Sequence, residues 1–398
     1  MPFRGERYRA SDRLSQLIAP PYDVVTPADR ARLAARDAHN IVHVMLPEAP
    51  ARRSGGDPYA RAAELLAAWR TEGVLVRDPE NAVYVMAQGE RFGVFAAVRA
   101  EGYAPRRVRP HEQTHAGPKA DRLALLRATR TNIESIFLLA PDPDGTLAAA
   151  LRAAAAGKPD AGAELDGVEI RLWIVRDVSR FPFPASPLYI ADGHHRFETA
   201  SAYALENPAA DRVLAFIASA RDPGLVVLPT HRVIFGVGGK LDALLDSWRR
   251  YFTVSRVAAE VDRVAHLARL GSSGTACIVA VPDGADLALV LRRDAPLDDV
   301  RGLSQSPAVR ALDVAIVEEL VVKPLLRLGE ATPTLNYMAD ARAALDTVRH
   351  GSAAHAVLLN PTKVEQVFAV ADAGEFMPPK STYFVPKVPS GLVLRPLA

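Results

Sequence analysis

The residues with the clearest chemical potential form one run, Asp192-Gly193-His194-His195-Arg196. It follows the apolar residues 188–191, which are typical of the end of a buried strand, and precedes residues 197–205, which have the composition of a helix. Cationic side chains therefore lie where a helix begins, and the free backbone N–H groups and the dipole there favour an anion. The run predicts a phosphate-binding corner; the alternative is an ordinary Asp-Gly turn with solvated polar residues.

Each residue of this run has a predicted role. Gly193, His195 and Arg196 are expected to contact phosphate, Arg196 through its planar fork of N–H donors. Asp192 is a candidate catalytic acid or base and a candidate Mg²⁺ ligand, and His194 is a further catalytic candidate. A zinc site is disfavoured because the two histidines are adjacent and do not follow the His-Glu-x-x-His spacing.

A second group of functional side chains lies in residues 111–122. Glu112 is a candidate general base or Mg²⁺ ligand, while Lys119 and Arg122 are candidate phosphate contacts. A solvated loop leading into a helix explains Asp121 alone, since the helix dipole favours an acidic residue in the first turn.

Asp23 ends a stiff, proline-rich loop, Ala19-Pro20-Pro21-Tyr22. Its carboxylate is a candidate base. The alternative is that Asp23 serves only at the entry to the helix that Thr26 caps ahead of Pro27.

The segment near the C-terminus offers Lys380, Ser381 and Thr382 as candidate phosphate contacts. Lysine supplies only seven of the 48 Lys and Arg residues, and Lys119, Lys380 and Lys387 all fall in these segments. The segment lacks the glycine pattern of a P-loop, so its side chains line the site only if it folds back. A docked edge strand with exposed lysines is the alternative.

Composition indicates a globular protein with a large core. The 398 residues are 49% hydrophobic and 24% charged, and the formal net charge is +2, which favours neither nucleic acid nor an acidic membrane as a partner. The single cysteine excludes an intramolecular disulfide, and no apolar run reaches the roughly 20 residues of a membrane span. We expect a cytoplasmic protein that acts on a small molecule and could form a homodimer.

The order of elements predicts an α+β fold with two domains. Residues 1–238 are expected to form a phosphate-binding domain that contains the corner at 192–196. Residues 239–398 are expected to form a mixed α/β domain, with a C-terminal tail that returns to the cleft.

Four boxes of this sequence resemble those of an uncharacterised family of bacterial and archaeal proteins: Ala19–Val24, Pro110–Thr114, Ala191–Arg196 and Met377–Phe384. The Gly-His-His-Arg run also resembles the phosphate-binding box of the ParB/sulfiredoxin superfamily, and its Asp-Gly-His form is similar to that of the free serine kinases. His194 stands where sulfiredoxins have a reactive cysteine, which disfavours sulfinic acid reduction. The resemblance implies a ParB/sulfiredoxin-like nucleotide-binding fold, with Asp23 as the positional analogue of the serine kinase base.

Residues and resemblance together predict Mg²⁺-dependent phosphoryl transfer from ATP or ADP to a small hydroxylated metabolite, with free L-serine as the best single candidate. Two alternatives stay open. One is a nucleotide-binding regulator without turnover, and the other is a metal-dependent phosphoester hydrolase.

Overall fold

The computed structural model describes residues 1–48, 56–104, 106–179, 181–183, 187–236, 241–328 and 332–397. Its contacts group the chain into two units. The first comprises Met1–Pro110, Thr114–Val226 and Pro386–Ala398, and the second comprises His111–Gln113 and Val227–Val385. The boundary predicted between residues 238 and 239 lies outside the described residues. The expected mixture of helices and strands is confirmed, and no helix in the described ranges is long and apolar enough to cross a membrane.

The first unit is built from short helices around one large sheet. Its strands are β1 (Glu6–Tyr8), β2 (Leu75–Arg77), β3 (Val83–Gln88), β4 (Arg91–Arg99), β5 (Val108–Arg109), β6 (Thr131–Asn132), β7 (Ile136–Ala140), β8 (Ala161–Leu165), β9 (Val168–Val175), β10 (Leu188–Asp192) and β11 (Arg212–Ser219). Its helices are α1 (Leu14–Leu17), α2 (Pro27–Ala34), α3 (Val42–Met45), α4 (Pro58–Thr71), α5 (Ala116–Thr129), α6 (Thr146–Ala154) and α7 (His194–Glu206). Strand β12 (Val226–Leu228) begins where the first unit ends.

The large sheet has the strand order β5-β10-β7-β11-β4-β3-β9-β8. Strands β3 and β7 are buried along their whole length, as expected from their nearly continuous apolar sequences. Helices α6 and α7 pack on this sheet through Leu147, Leu151 and Phe197. Because their apolar side chains are removed from water, these contacts are a major source of the unit's stability.

Antiparallel pairing of β10 with β7 brings the end of β10 and the start of β7 to the same end of the sheet. Asp192, the last residue of β10, lies opposite Phe137 near the start of β7, after a register shift that follows Ile190. Residues just before β7 therefore lie beside the turn that leads from β10 into α7. This register positions the corner predicted at 192–196.

The C-terminal segment is part of the first unit. Strand β20 (Arg395–Pro396) pairs with β6, Leu394 exchanges two backbone hydrogen bonds with Glu6, and Ser390 exchanges two with Ala19. Val388, Leu392, Val393 and Leu394 are buried. Packing of this segment is therefore continuous with the core of the first unit.

The second unit contains an antiparallel sheet of order β14-β16-β15-β18-β13-β17. The strands of this sheet are β13 (His231–Phe235), β14 (Phe252–Arg256), β15 (Ala276–Ala280), β16 (Leu287–Leu291), β17 (Thr334–Met338) and β18 (His355–Leu359). The second unit also contains β19 (Tyr383–Val385), which is not part of this sheet. The helices of the second unit are α8 (Asp242–Tyr251), α9 (Arg263–Gly271), α10 (Pro307–Arg310), α11 (Asp313–Val317), α12 (Lys323–Leu326), α13 (Ala341–Arg349) and α14 (Val364–Ala373). Helices α9 and α13 contribute Leu267, Ala344 and Val348 to the core on this sheet.

Packing of the C-terminal segment gives a stability prediction. Leu394 is fully buried, whereas Leu205 at the end of α7 is exposed. We expect Leu394→Ala to lower the free energy of unfolding by about 2–5 kcal/mol, and the matched control Leu205→Ala to change it by less than about 0.5 kcal/mol. Urea unfolding followed by circular dichroism measures both values, and equal effects of the two variants would show that the segment does not pack as described.

Candidate functional site

The corner lies at the beginning of α7, and its backbone requires glycine. Gly193 has a φ of 92°, and a Cβ atom on it would lie 3.1 Å from the guanidinium carbon of Arg196. No side chain caps the 13-residue helix that follows. Glycine at this position thus supplies no side-chain cap to α7, whose start carries the positive end of the helix dipole.

Arg196 lies inside this corner with only 9% of its surface exposed. One terminal nitrogen forms an ion pair with Asp192 and the other donates to the Ser135 carbonyl, while Nε has no hydrogen-bond partner in the described residues. Burial lowers the pKa of Arg196, but the negative charges of Asp192 and Glu134 raise it more, so the net pKa is above its usual value. The guanidinium is therefore charged and retains one N–H donor for a ligand.

Asp192 is shared between two cations. Its Oδ2 pairs with Arg196 and its Oδ1 with the ammonium group of Lys387. Burial alone would raise the pKa of Asp192, but the two cations hold it well below its usual range. The carboxylate stays ionised and fixes the positions of both cations.

Lys387 reaches the corner because β3 and β4 hold its backbone. Gln88 donates to the Lys387 carbonyl at 2.9 Å, and Arg91 donates to the Pro386 carbonyl and, at 2.5 Å, to the amide oxygen of Gln88. Arg91 is fully buried, and burial lowers its pKa to about 9. The sequence predicts that lysines of the C-terminal segment line the site only if that segment folds back, and Lys387 does reach Asp192.

A second buried carboxylate, Glu134, precedes β7. It accepts from the backbone N–H of Tyr22 at 2.9 Å and lies 3.6 Å from the guanidinium of Arg122. Burial raises the pKa of Glu134 above its usual value, although Arg196 and Arg122 oppose the change. These three charged side chains and the unpartnered hydroxyl of Thr199 line a pocket of about 50 Å³, a volume that suits one or two water molecules.

Asp23 lies in a short 3₁₀ turn, Tyr22–Val24, at the end of the proline-rich loop, and its side chain is exposed. Its negative charge contributes to the raised pKa of Arg196, which places the carboxylate within electrostatic range of the guanidinium. Burial raises the pKa of the neighbouring Tyr22 to about 12. The structure thus places Asp23 on the solvent side of the corner.

The remaining predicted residues of the first unit have other partners. His194 is buried, and the ring Nε2 of His195 accepts from the backbone N–H of His115 at 2.9 Å. Lys119 forms an ion pair of 2.9 Å with Glu198 on α7, at the oxygen to which Thr114 also donates. The predicted catalytic role of His194 and the predicted phosphate contacts of His195 and Lys119 stay predictions.

Two of the sequence boxes meet inside the second unit. His111 Nε2 lies 3.0 Å from the hydroxyl of Thr382, and Glu112 accepts from the backbone N–H of Lys380 at 3.1 Å. Ser381 donates to the Pro378 carbonyl at 2.5 Å, and its own carbonyl accepts from Thr362. Glu112, Lys380, Ser381 and Thr382 therefore form a local network in the second unit.

The predicted Mg²⁺ ligands are Asp192 in the first unit and Glu112 in the second. Across the described ranges, no group of three or more His, Cys, Asp or Glu side chains is arranged to hold a metal ion. Asp192 fits poorly as a metal ligand in this arrangement, because each of its oxygens already faces a cation. Its observed role is to orient Arg196 and Lys387.

Sequence reasoning missed the residues before β7. Asn132, Glu134 and Ser135 are buried polar residues directly ahead of an apolar strand. That contrast was a usable signal, because a polar segment adjoining a buried strand must find hydrogen-bond partners inside the protein. Which partners it finds depends on the pairing of β7 with β10, which the sequence does not specify.

The ion pairs of Asp192 give a pH prediction. Because its folded pKa is lowered, its stabilising contribution is fully present above its unfolded pKa of about 3.9 and is lost as the pH falls through the folded value. We expect Asp192→Asn to cost about 3–5 kcal/mol at pH 7, since Arg196 and Lys387 lose their counterion, and to cost less as the pH drops below about 4.

Urea unfolding at pH 7, 5 and 3 tests this, with the exposed Asp12→Asn as the control. A cost of Asp192→Asn that is the same at all three pH values would contradict the assigned ion pairs.

The chain shows low overall similarity to several solved structures. Free serine kinase in complex with AMP has a TM-score of 0.40 and 13% identity over 73% of this chain and 87% of that chain. A conserved hypothetical protein from Pyrococcus furiosus has a TM-score of 0.37 and 14% identity over 74% and 93%. SbnI with a C-terminal truncation, from Staphylococcus aureus, has a TM-score of 0.39 and 12% identity over 73% and 82%. Scores this low carry no argument about fold or function.

Sequence comparison decides the family. No curated protein matches the sequence. A family model matches residues 1–315, which is well over half of the chain, and its description is "Protein of unknown function (DUF1015)". The chain belongs to the DUF1015 family.

Proposed function

We propose that the corner at the start of α7 binds the phosphates of ATP or ADP and supports phosphoryl transfer to a small hydroxylated metabolite, with free L-serine as the first acceptor to test. The observation that carries the proposal is the charged, buried Arg196, whose Nε has no partner in the described residues and which lies at an uncapped helix start. A guanidinium and the positive end of a helix dipole together favour the oxygens of a phosphate. The resemblance of the Asp-Gly-His-His-Arg run to the ParB/sulfiredoxin phosphate box supports the same assignment.

Lys387 and Arg196 are the cations of this proposed site. Asp192 holds both in place, so they need little rearrangement when a phosphate arrives. The ammonium of Lys387 can turn from Asp192 towards a phosphate oxygen, because a lysine side chain is flexible and its three donors rotate. Phosphoryl transfer depends mainly on such alignment and charge neutralisation.

Asp23 is the better of the two candidate bases in the first unit. The lowered pKa of Asp192 makes its carboxylate a weak proton acceptor, and both of its oxygens are occupied. Asp23 is exposed at the mouth of the corner and lies within electrostatic range of Arg196. In the proposed step, the acceptor hydroxyl oxygen bonds to the terminal phosphorus, the bond from phosphorus to the nucleotide oxygen breaks, and Asp23 takes the hydroxyl proton.

Mg²⁺ has no assigned step, because Asp192 does not fit as its ligand in this arrangement. Nucleotide phosphates commonly bring this ion with them, so assays are run with and without it. No nucleotide contact is assigned to Lys119 or Arg122, since Glu198 and Asp121 pair with them. Glu112, Lys380, Ser381 and Thr382 in the second unit stay predictions.

A binding experiment tests the phosphate site. We expect isothermal titration calorimetry to detect ATP or ADP, and Arg196→Lys to weaken the affinity about tenfold or more, because one ammonium replaces a planar fork of donors. Arg127→Ala is the control, since Arg127 pairs with Glu206 on the exposed surface of the same unit. Unchanged affinity in a folded Arg196→Lys protein would remove the assignment.

A turnover experiment tests the base. The protein is incubated with ATP or ADP and a panel of hydroxylated metabolites that includes L-serine, and products are followed by phosphorus NMR. We expect Asp23→Asn to lower the rate about a hundredfold or more while nucleotide affinity is kept, and Asp12→Asn to have no effect.

The products separate the three functions. A phosphorylated acceptor supports a kinase, and inorganic phosphate without an acceptor product indicates a hydrolase. Nucleotide binding without any product indicates a regulator.

A further inference from the structure

We propose that a second pocket of the first unit, between the starts of α2 and α4, binds a small organic dicarboxylate. The pocket has a volume of about 350 Å³ and is lined by Thr26, Arg30, Glu48, Tyr59, Asp121 and Arg122 among others. This size is within the range of small-molecule sites. The proposal does not rest on nucleotide binding at the corner.

The guanidinium groups of Arg30 and Arg122 both line this pocket. Arg30 Nε donates to the Leu46 carbonyl at 2.8 Å, and Arg122 Nη1 donates to the adjacent Met45 carbonyl at 2.8 Å. Consecutive carbonyls at the end of α3 therefore fix both side chains, and each guanidinium keeps further N–H donors for a second partner. Such fixed positions reduce the ordering cost of binding an anion.

Each guanidinium now holds a carboxylate that is far more exposed than itself. Arg30 pairs with Glu48, and their side chains are 15% and 73% exposed. Arg122 pairs with Asp121 at 2.5 Å, and their side chains are 5% and 43% exposed. An exposed carboxylate loses little when it returns to water, whereas the guanidinium of Arg30 requires a replacement counterion and that of Arg122 keeps the buried Glu134 at 3.6 Å during the exchange. Two ligand carboxylates can therefore replace Glu48 and Asp121.

The rest of the pocket suits the same ligand. Pro27 and Pro58 begin α2 and α4, and both line the pocket; Thr26 and Asp57 already cap these helices, so the two dipoles contribute positive potential there but no uncapped helix start. The hydroxyl of Tyr59, which donates to Asp121 at 2.8 Å, can donate to a ligand carboxylate instead. Val25 and Leu46 supply apolar surface for a short methylene chain between two acid groups.

The experiment measures binding of succinate, glutarate and adipate to the full chain by isothermal titration calorimetry, with butyrate and inorganic phosphate as comparison ligands. We expect at least one dicarboxylate to bind about tenfold more tightly than butyrate, because only it can pair with both guanidiniums. Phosphate is expected to bind less tightly than that dicarboxylate.

Two variants with opposite expected effects on dicarboxylate affinity test the pocket. Arg30→Ala should weaken the best dicarboxylate about tenfold or more, whereas Glu48→Gln should tighten it by up to about fivefold, since the competing carboxylate is removed. Glu48 is exposed, so its variant is expected to fold even if Arg30→Ala disturbs α2. Arg13→Ala is the control. In the ion pair of Arg13 with Asp37 the arginine is exposed and the acid is buried, which is the reverse of the arrangement in the proposed pocket.

Several results would overturn the proposal: no measurable binding of any dicarboxylate, an equal affinity for butyrate or phosphate, or wild-type affinity in both Arg30→Ala and Glu48→Gln. Nucleotide affinity, which reports on Arg196, is measured on the same variants. A loss of dicarboxylate binding with unchanged nucleotide binding assigns the effect to this pocket alone.

Discussion

A carboxylate that is 12% exposed, between two cations that are 9% and 15% exposed, organises the first unit. Asp192 holds Arg196 on one oxygen and Lys387 on the other, and these residues come from a strand end, a helix and the C-terminal segment. An ion pair of this kind is costly to desolvate, and it is stable only when geometry and additional hydrogen bonds compensate. The Ser135 carbonyl accepts a hydrogen bond from Arg196, and the side chain of Gln88 donates one to the Lys387 carbonyl. These hydrogen bonds provide that compensation.

Charge is nearly balanced around this centre. Glu134 lies near Arg122 and contributes to the field at Arg196, and the pKa of Glu134 is raised by burial despite these cations. The corner therefore differs from an open basic patch. An anion that enters it must compete with carboxylates already present, so in the proposed phosphate site selectivity would depend on Nε of Arg196, which has no partner in the described residues, and on the uncapped helix start rather than on net positive charge.

Local patterns were sufficient to predict α2, α7 and β10, since caps, turn residues and apolar spacing act within a few residues. The same local information identified Asp192, Gly193 and Arg196 as candidates. It could not predict the contact of Glu134 with Tyr22 or the pairing of Lys387 with Asp192, because these contacts join residues 112 and 195 positions apart and depend on how distant segments pack together. Helix α9 was also missed, although its Asp262 cap and its amphipathic pattern were usable local signals, and strand β17 was missed because most of its residues are exposed.

Residues 386–397 pack into the first unit although the second unit lies between them and the rest of it in chain order. During synthesis the second unit emerges from the ribosome before Lys387 and Leu394 do. Domains fold as the chain emerges, so the first unit stays incomplete until its last segment is synthesised. Until then Asp192 lacks its ion pair with Lys387, and the core lacks the buried side chain of Leu394. Its completion is thus a late event in biosynthesis, and nascent chains stalled before residue 386 would be targets for chaperones and proteases.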